Sequence, residues 1–183
     1  MLKIFRVILF LIFLLPSVSM ADGKLIDNFE LQPDARWRFI ADTVMGGVSI
    51  GRVEFYREAA GSYARMTGTV STKNNGGFIQ FRTFLDSPLP KESKGLRLVV
   101  RGNQQNYFVH LRTNGIFFPW QFYQAKFEVS EDWSEVYLPF QEFKTSGFLL
   151  RSSPLAESIE SIGVVAFGID HEAKVDVLEV SFY

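Results

Sequence analysis

Apolar residues recur at every second position through much of this chain, in short runs broken by Gly, Asn, Ser and Pro clusters. That period belongs to strands with one buried and one open face. In "GGFIQFRTF", Ile79, Phe81 and Thr83 point one way, and Phe78, Gln80, Arg82 and Phe84 the other. In "KGLRLVVRG", Leu96, Leu98 and Val100 oppose Arg97, Val99 and Arg101, and in "NYFVHLRTN", Tyr107, Val109 and Leu111 oppose Phe108, His110 and Arg112. Further strands are predicted at 36–41, 50–57, 63–70, 119–129, 134–139, 162–169 and 174–182. One short helix is predicted at "SPLAES", capped by Ser153 with Pro154 in its first position. Many half-polar strands must bury their apolar faces on one another, so the pattern predicts an all-β fold, an antiparallel β-sandwich of jelly-roll type.

The N-terminus departs from this pattern. A basic start with Lys3 and Arg6, the apolar run "VILFLIFLL" and the small-residue site "PSVSMA" read as a cleavable signal peptide over residues 1–21, cut after Ala21. The apolar run is too short for a membrane span. A periplasmic or secreted protein is therefore expected, with residues 22–183 forming one domain. Its membrane contact would come only through a partner or an uncleaved leader. Removing the leader takes the net charge from −1 to −3, so no nucleic-acid partner is expected. The chain has no cysteine, so the fold closes without disulfides or thiolate metal sites. Its 19 phenylalanines supply the core.

Catalytic motifs are sparse. Gly47-Val48-Ser49-Ile50-Gly51 satisfies G-x-S-x-G, but that elbow requires strand, turn and helix, and the following "RVEFYRE" alternates like a strand. The two histidines, His110 and His171, do not complete a triad in the usual order. No dinucleotide, P-loop or H-E-x-x-H motif is present, and no cofactor is expected. Asp27, Asp34 and Asp170 are the acids nearest to a cation set, but their spacing supports no metal site. The expectation is a non-enzymatic protein, with a serine hydrolase using Ser49 as a distant alternative.

Five blocks, "WRFIADTVMGGVSIG", "STKNNGGFIQFRT", "KGLRLVVRGNQQNYFVHLRT", "YQAKFEVSEDWSEVYLPFQEF" and "IESIGVVAFGI", carry a family resemblance. In order, from about Leu25 to Val180, the chain resembles the complex I intermediate-associated protein 30 family. The combination of Asp42, Met45-Gly46-Gly47 and Ser49 with Asn75-Gly76-Gly77-Phe78 is its most specific part. The resemblance implies a galactose-binding-domain-like β-sandwich and an assembly or chaperone-like role. Mitochondrial members help build the membrane arm of NADH:ubiquinone oxidoreductase and do not catalyse its reaction. Those members work in the matrix, whereas this chain opens with an export signal, so the fold transfers more directly than the process. The same fold serves carbohydrate-binding modules, which keeps sugar recognition as the alternative.

Two candidate surfaces follow from the residues. The first is the turn Asp42, Met45, Gly46, Gly47 and Ser49 with Asn75, Gly76 and Gly77, read either as a structural corner held by Asp42 or as a ligand contact. The second gathers the outward residues Gln80, Arg82, Arg97, Arg101, Phe108, His110 and Arg112, with Arg65 as a further member, on one open sheet face. Arginines among amide, imidazole and aromatic groups suit hydroxyl-rich or anionic ligands, and the competing reading is a solvated face whose arginines pair with acids. In "IFFPWQFYQ", alternation puts Phe118, Trp120 and Phe122 opposite Tyr123, so either Trp120 or Tyr123 offers a stacking platform on the open side. Trp37 and Trp133 are expected in the core or at its edge. The expected partner is a protein of a membrane or envelope complex, with carbohydrate second.

Overall fold

The computed structural model describes residues 24–116 and 118–183; the leader reading of residues 1–21 lies outside them. The chain forms two six-stranded antiparallel sheets. The first contains β1 (Lys24–Asp27), β3 (Ile50–Glu58), β4 (Gly61–Val70), β6 (Gly95–Gly102), β9 (Ser134–Pro139) and β12 (His171–Phe182). Its order is β3-β4-β12-β6-β9, with β1 also on β12. The second contains β2 (Arg38–Ala41), β5 (Phe78–Phe84), β7 (Asn106–Thr113), β8 (Tyr123–Glu128), β10 (Lys144–Thr145) and β11 (Ile159–Phe167), in the order β10-β8-β7-β11-β5-β2.

The alternation explains the layering. Ile79 and Phe81 of β5, Leu96, Leu98 and Val100 of β6, and Tyr107, Val109 and Leu111 of β7 are wholly buried in the space between the sheets. Trp37 joins this core against Phe29 and Phe81, and its indole N–H donates to Asp27 at 2.8 Å. Arg36 closes on the same carboxylate at 2.7 Å, so an acid weighed as a metal ligand is instead the anchor of the turn before β2. Trp133 sits at the edge, half-buried against Tyr63.

Two expected elements differ and one unexpected element is present. The predicted strand 119–129 begins only at Tyr123, because Pro119 and the bond from Gln121 N to Phe118 O set a turn before it. At "SPLAES" a single 3₁₀ turn, Ala156–Ser158, replaces the helix, and Ser153 caps nothing. One turn is all that fits before Ile159 enters β11. The short helix α1, Pro33–Arg36, has Pro at its start but only four residues, too few for a periodic signal.

Two passages of the chain between the sheets meet at one end. The segment 42–49 leads from β2 in the second sheet to β3 in the first, and 71–77 leads from β4 back to β5. These two crossovers lie against each other and carry the first candidate surface.

Candidate functional site

Asp42 joins the crossovers. Its buried carboxylate accepts bonds from Ser49 N at 2.9 Å, from the Ser49 hydroxyl, from Gly77 N at 2.6 Å and from Phe78 N at 3.3 Å. Burial pushes this carboxyl up, but the bonds from Ser49, Gly77 and Phe78 together outweigh it and hold the group below the ordinary carboxylate range. The glycines are explained by the same carboxylate. A Cβ on Gly47 would stand 2.3 Å from Asp42 Cγ, and one on Gly76 would stand 2.4 Å from Asp42 Oδ2. Gly46 and Gly77 have φ of 90° and 127°, which L side chains resist.

Asp42, Gly47, Ser49 and Gly77 are thus a structural corner. Ser49 is fully buried, its hydroxyl engaged by Asp42 and by Ser71 N at 2.9 Å, and β3 follows it directly. The nucleophile-elbow geometry is absent, and no histidine reaches Ser49 among the hydrogen bonds of the described residues. The outer side of the same corner, at Met45, Asn75 and Gly76, forms one wall of a cleft.

That cleft, of about 300 Å³, lies on the outer face of the second sheet. Its floor comes from adjacent strands β5, β11 and β7, which present Phe78, Gln80 and Arg82, then Phe167, then His110 and Arg112. Gly163 of β11 pairs with both Arg82 and His110, so the position between them has no side chain of its own and the Gln80 carboxamide lies over it. A Cβ there would come 2.8 Å from Gln80 Oε1. The far wall is the turn Pro119, Trp120 and Phe122. It is fastened by Arg112 Nη1 donating to Pro119 O at 2.7 Å, Ser146 Oγ donating to Trp120 O at 2.9 Å, and Phe122 N donating to Ser146 Oγ at 2.8 Å.

The cleft is aromatic and cationic. Trp120, 64% exposed, stacks on Phe118 with ring centroids 4.8 Å apart. His110 stacks on Phe122 at 4.0 Å and meets the edge of Phe167 at 5.7 Å. Burial holds the His110 imidazole far below its usual range, at about 4, against a smaller opposing contribution from Gln124, so it is neutral. Its Nε2 is buried without a hydrogen-bond partner. Arg82 packs over Phe84, and burial first, then the charge of Arg112, lowers its pKa.

The open face expected from the sequence is divided between two sheets. Gln80, Arg82, His110, Arg112 and Trp120 converge on the cleft together with Met45, Asn75 and Gly76. Arg97 and Arg101 do not: they lie on β6 of the first sheet, facing outward on the other side of the molecule. There Arg97 pairs with Glu135 at 2.6 Å and with Glu179, and Arg101 pairs with Asp176 at 2.8 Å and Glu58 at 3.1 Å. Arg65 joins them through Asp176 at 2.7 Å. Tyr123 is core, 2% exposed, because β8 begins there with its first residue facing inward; Trp120 is the platform. Phe108 lies on the second sheet's outer face but packs on Phe167 and lines neighbouring depressions instead of this cleft. The larger of these, about 510 Å³ along β8 and β10, contains none of the residues singled out in the sequence except Phe108. Asp170 accepts from Thr72 N and Oγ1, and no group of three or more His, Asp or Glu is placed to hold a metal ion among the described residues.

Residues 28–176 match the family described as complex I intermediate-associated protein 30 (CIA30). The chain belongs to this family. No curated protein sequence gives a match. Among solved structures, a family 11 carbohydrate-binding module from Clostridium thermocellum, in complex with a β-1,3-1,4-mixed-linked tetrasaccharide, superposes with a TM-score of 0.70 at 13% identity. The match covers 87% of this chain and 94% of that one. A family 30 carbohydrate-binding module gives 0.53 at 11%, over 75% and 91%. An exo-β-agarase gives 0.60 at 8%, covering 87% of this CIA30 chain but 25% of the agarase chain. These likenesses show the fold, a two-sheet jelly-roll sandwich, as the alternation and the resemblance anticipated.

Sequence reasoning missed Phe167 on β11 as a member of the cleft, and did not place Phe78, Pro119 and Phe122 in it. The signal was present in "IGVVAFG", where the inward residues Ile162, Val164 and Ala166 leave Gly163, Val165 and Phe167 outward. What the string lacks is the order of strands that sets β11 between β5 and β7.

Proposed function

We propose that this CIA30-family protein is an exported, non-catalytic recognition protein that works through the cleft between the Asp42 corner and the Trp120 turn, and that the cleft takes a saccharide chain. The observation that carries this reading is the aromatic platform, Trp120 on Phe118, rising beside a sheet floor of Gln80, Arg82, His110 and Arg112. Flat aromatic faces accept the apolar side of a sugar ring while planar polar groups take its hydroxyls. The fold shared with a module solved on a tetrasaccharide supports the reading by analogy. Isothermal titration of the mature protein against an array of oligosaccharides tests it: a saturable ligand should lose about tenfold in affinity in Trp120→Ala, roughly the worth of one stacked ring. Absence of any saturable saccharide would end this reading.

A second reading, an assembly or interaction factor for a membrane or envelope protein complex, is favoured by the family match and by one surface. The corner exposes Val44, Met45, Val48 and Ile50, between 43% and 72% each, a contiguous apolar crest of the kind found at protein contacts. Affinity capture from solubilised membranes should then return a defined complex, and Ile50→Asp should lose it while oligosaccharide binding is retained.

A further inference from the structure

We infer that the ligand of the cleft is anionic, a saccharide bearing carboxylate or sulfate groups, with Arg82 and Arg112 holding the anion beside the buried imidazole of His110. This rests on the saccharide reading above and adds the charge of the ligand.

The lining of the cleft holds two guanidinium groups and no carboxylate. Among the described residues neither Arg82 nor Arg112 enters an ion pair. Arg112 commits one nitrogen to Pro119 O, which orients the group and leaves its other donors free for a second acceptor. Arg82 has no hydrogen bond to any side chain of the described residues and lies half-buried over an aromatic ring. Two like charges in a partly desolvated groove repel, and an anion between them removes that repulsion while supplying acceptors in the planar geometry that guanidinium favours.

The second observation is independent of charge. His110 lines the same cleft, nine-tenths buried and packed against Phe122 and Phe167, and its Nε2 is buried without a hydrogen-bond partner. A buried polar atom left unpaired is rare in folded proteins. Over Gly163, between Arg82 and His110, lies the Gln80 amide, a further polar group on the same floor.

The test is titration of the full mature protein, at low salt, with three oligosaccharides of equal length: an oligogalacturonide, a sulfated galactan and a neutral mixed-linked β-glucan, with sodium sulfate as a fourth probe. Either anionic oligosaccharide should bind at least about tenfold more tightly than the neutral one, and the preference should shrink as salt is raised. Which of the two wins identifies carboxylate or sulfate as the group held. Arg82→Gln with Arg112→Gln should abolish the preference, whereas Arg52→Gln, the same loss of charge on the first sheet, should keep it. Circular dichroism and the melting temperature of each variant exclude unfolding as the cause. Equal affinity for the neutral chain, or a preference that survives the double substitution, overturns the anionic assignment and leaves the saccharide reading standing. Sulfate ion binding as tightly as the sugars would reduce the cleft to a free-anion site and overturn it as well. Failure of all four probes removes both.

Discussion

The two outer faces of this sandwich carry the same residue type in opposite circumstances. On the first sheet, Arg65 and Arg101 sit directly across from Asp176 on either side of β12, and Arg97 is closed by Glu135 and Glu179. On the second sheet, the cross-strand neighbours of Arg82 are Gly163 and Arg38, and that of Arg112 is Ser161. All five arginines alternate with core residues in sequence, so alternation alone marks them as equal. Register separates them: one face has neutralised itself, and on the other Arg82 and Arg112 enter no ion pair among the described residues.

The buried carboxylates sharpen this difference. Asp176 is satisfied by two guanidiniums, whereas Asp42, at the cleft wall, is satisfied wholly by neutral N–H and O–H donors. Asp42→Ala should be the most damaging single change, costing about 4 kcal/mol, because it strands the donors of Ser49, Gly77 and Phe78 and unties both crossovers. Urea denaturation measures it, and a cost below about 1 kcal/mol would mean the corner is held by something else. Asp176→Asn should cost about 2 kcal/mol, since it leaves Arg65 and Arg101 with reduced compensation while both stay partly in water. No substitution of a single charge in the cleft should approach either value.

Acid should act on the cleft before it acts on the carboxylates. The folded pKa of His110 lies at about 4 and its unfolded value near 6.5, so between these the unfolded chain binds the extra proton. Stability therefore falls as pH drops from about 6.5 to about 4, by at most about 3 to 4 kcal/mol at about 1.4 kcal/mol per pH unit, and is level below that window as far as this group is concerned. Asp42 and Asp27, both held below their unfolded values, release their contribution only at lower pH. Stability curves recorded for His110→Phe should be flatter across that window than those of the natural chain.

Strand identity, facing and the sandwich were legible because burial imposes period two on β5, β6 and β7 regardless of their neighbours. The corner was half legible: "MGGVS" and "NNGG" announce tight turns, but only contact between the crossovers shows that Gly47 and Gly76 yield space to one carboxylate. The assignment of Arg97 and Arg101 to the cleft failed for the reason that distinguishes the faces. Strand order is a property of the folded chain, and β6 pairs with β9 and β12 instead of β5 or β7. Tyr123 was undecidable for want of a boundary, since a turn through residue 121 resets which residue of the aromatic run enters β8 first.

The corner also permits a finer test of space against backbone. Gly76→Ala places a methyl group against a carboxylate pinned by four hydrogen bonds and should cost about 3 kcal/mol. At Gly46 an added Cβ meets nothing within 4 Å, so Gly46→Ala carries only the cost of a positive φ, about 1 kcal/mol. Equal costs would show that the glycines serve conformation alone.

The smallest effect is the most diagnostic of the two faces. Arg82→Gln removes a half-buried cation that has Arg112 as its charged neighbour and no ion pair among the described residues, so the substitution relieves desolvation and repulsion while losing the contact of the guanidinium over the Phe84 ring. These contributions oppose one another, and the melting temperature should stay level or rise, within about 0.5 kcal/mol in stability. Arg97→Gln on the other face discards contacts to Glu135 and Glu179 and should lower it by about 1 kcal/mol. A cation kept where it does nothing for the fold is one whose counter-charge arrives with the ligand. If Arg82→Gln instead destabilises the protein as much as Arg97→Gln, the second sheet's arginines are structural and the contrast between the faces dissolves.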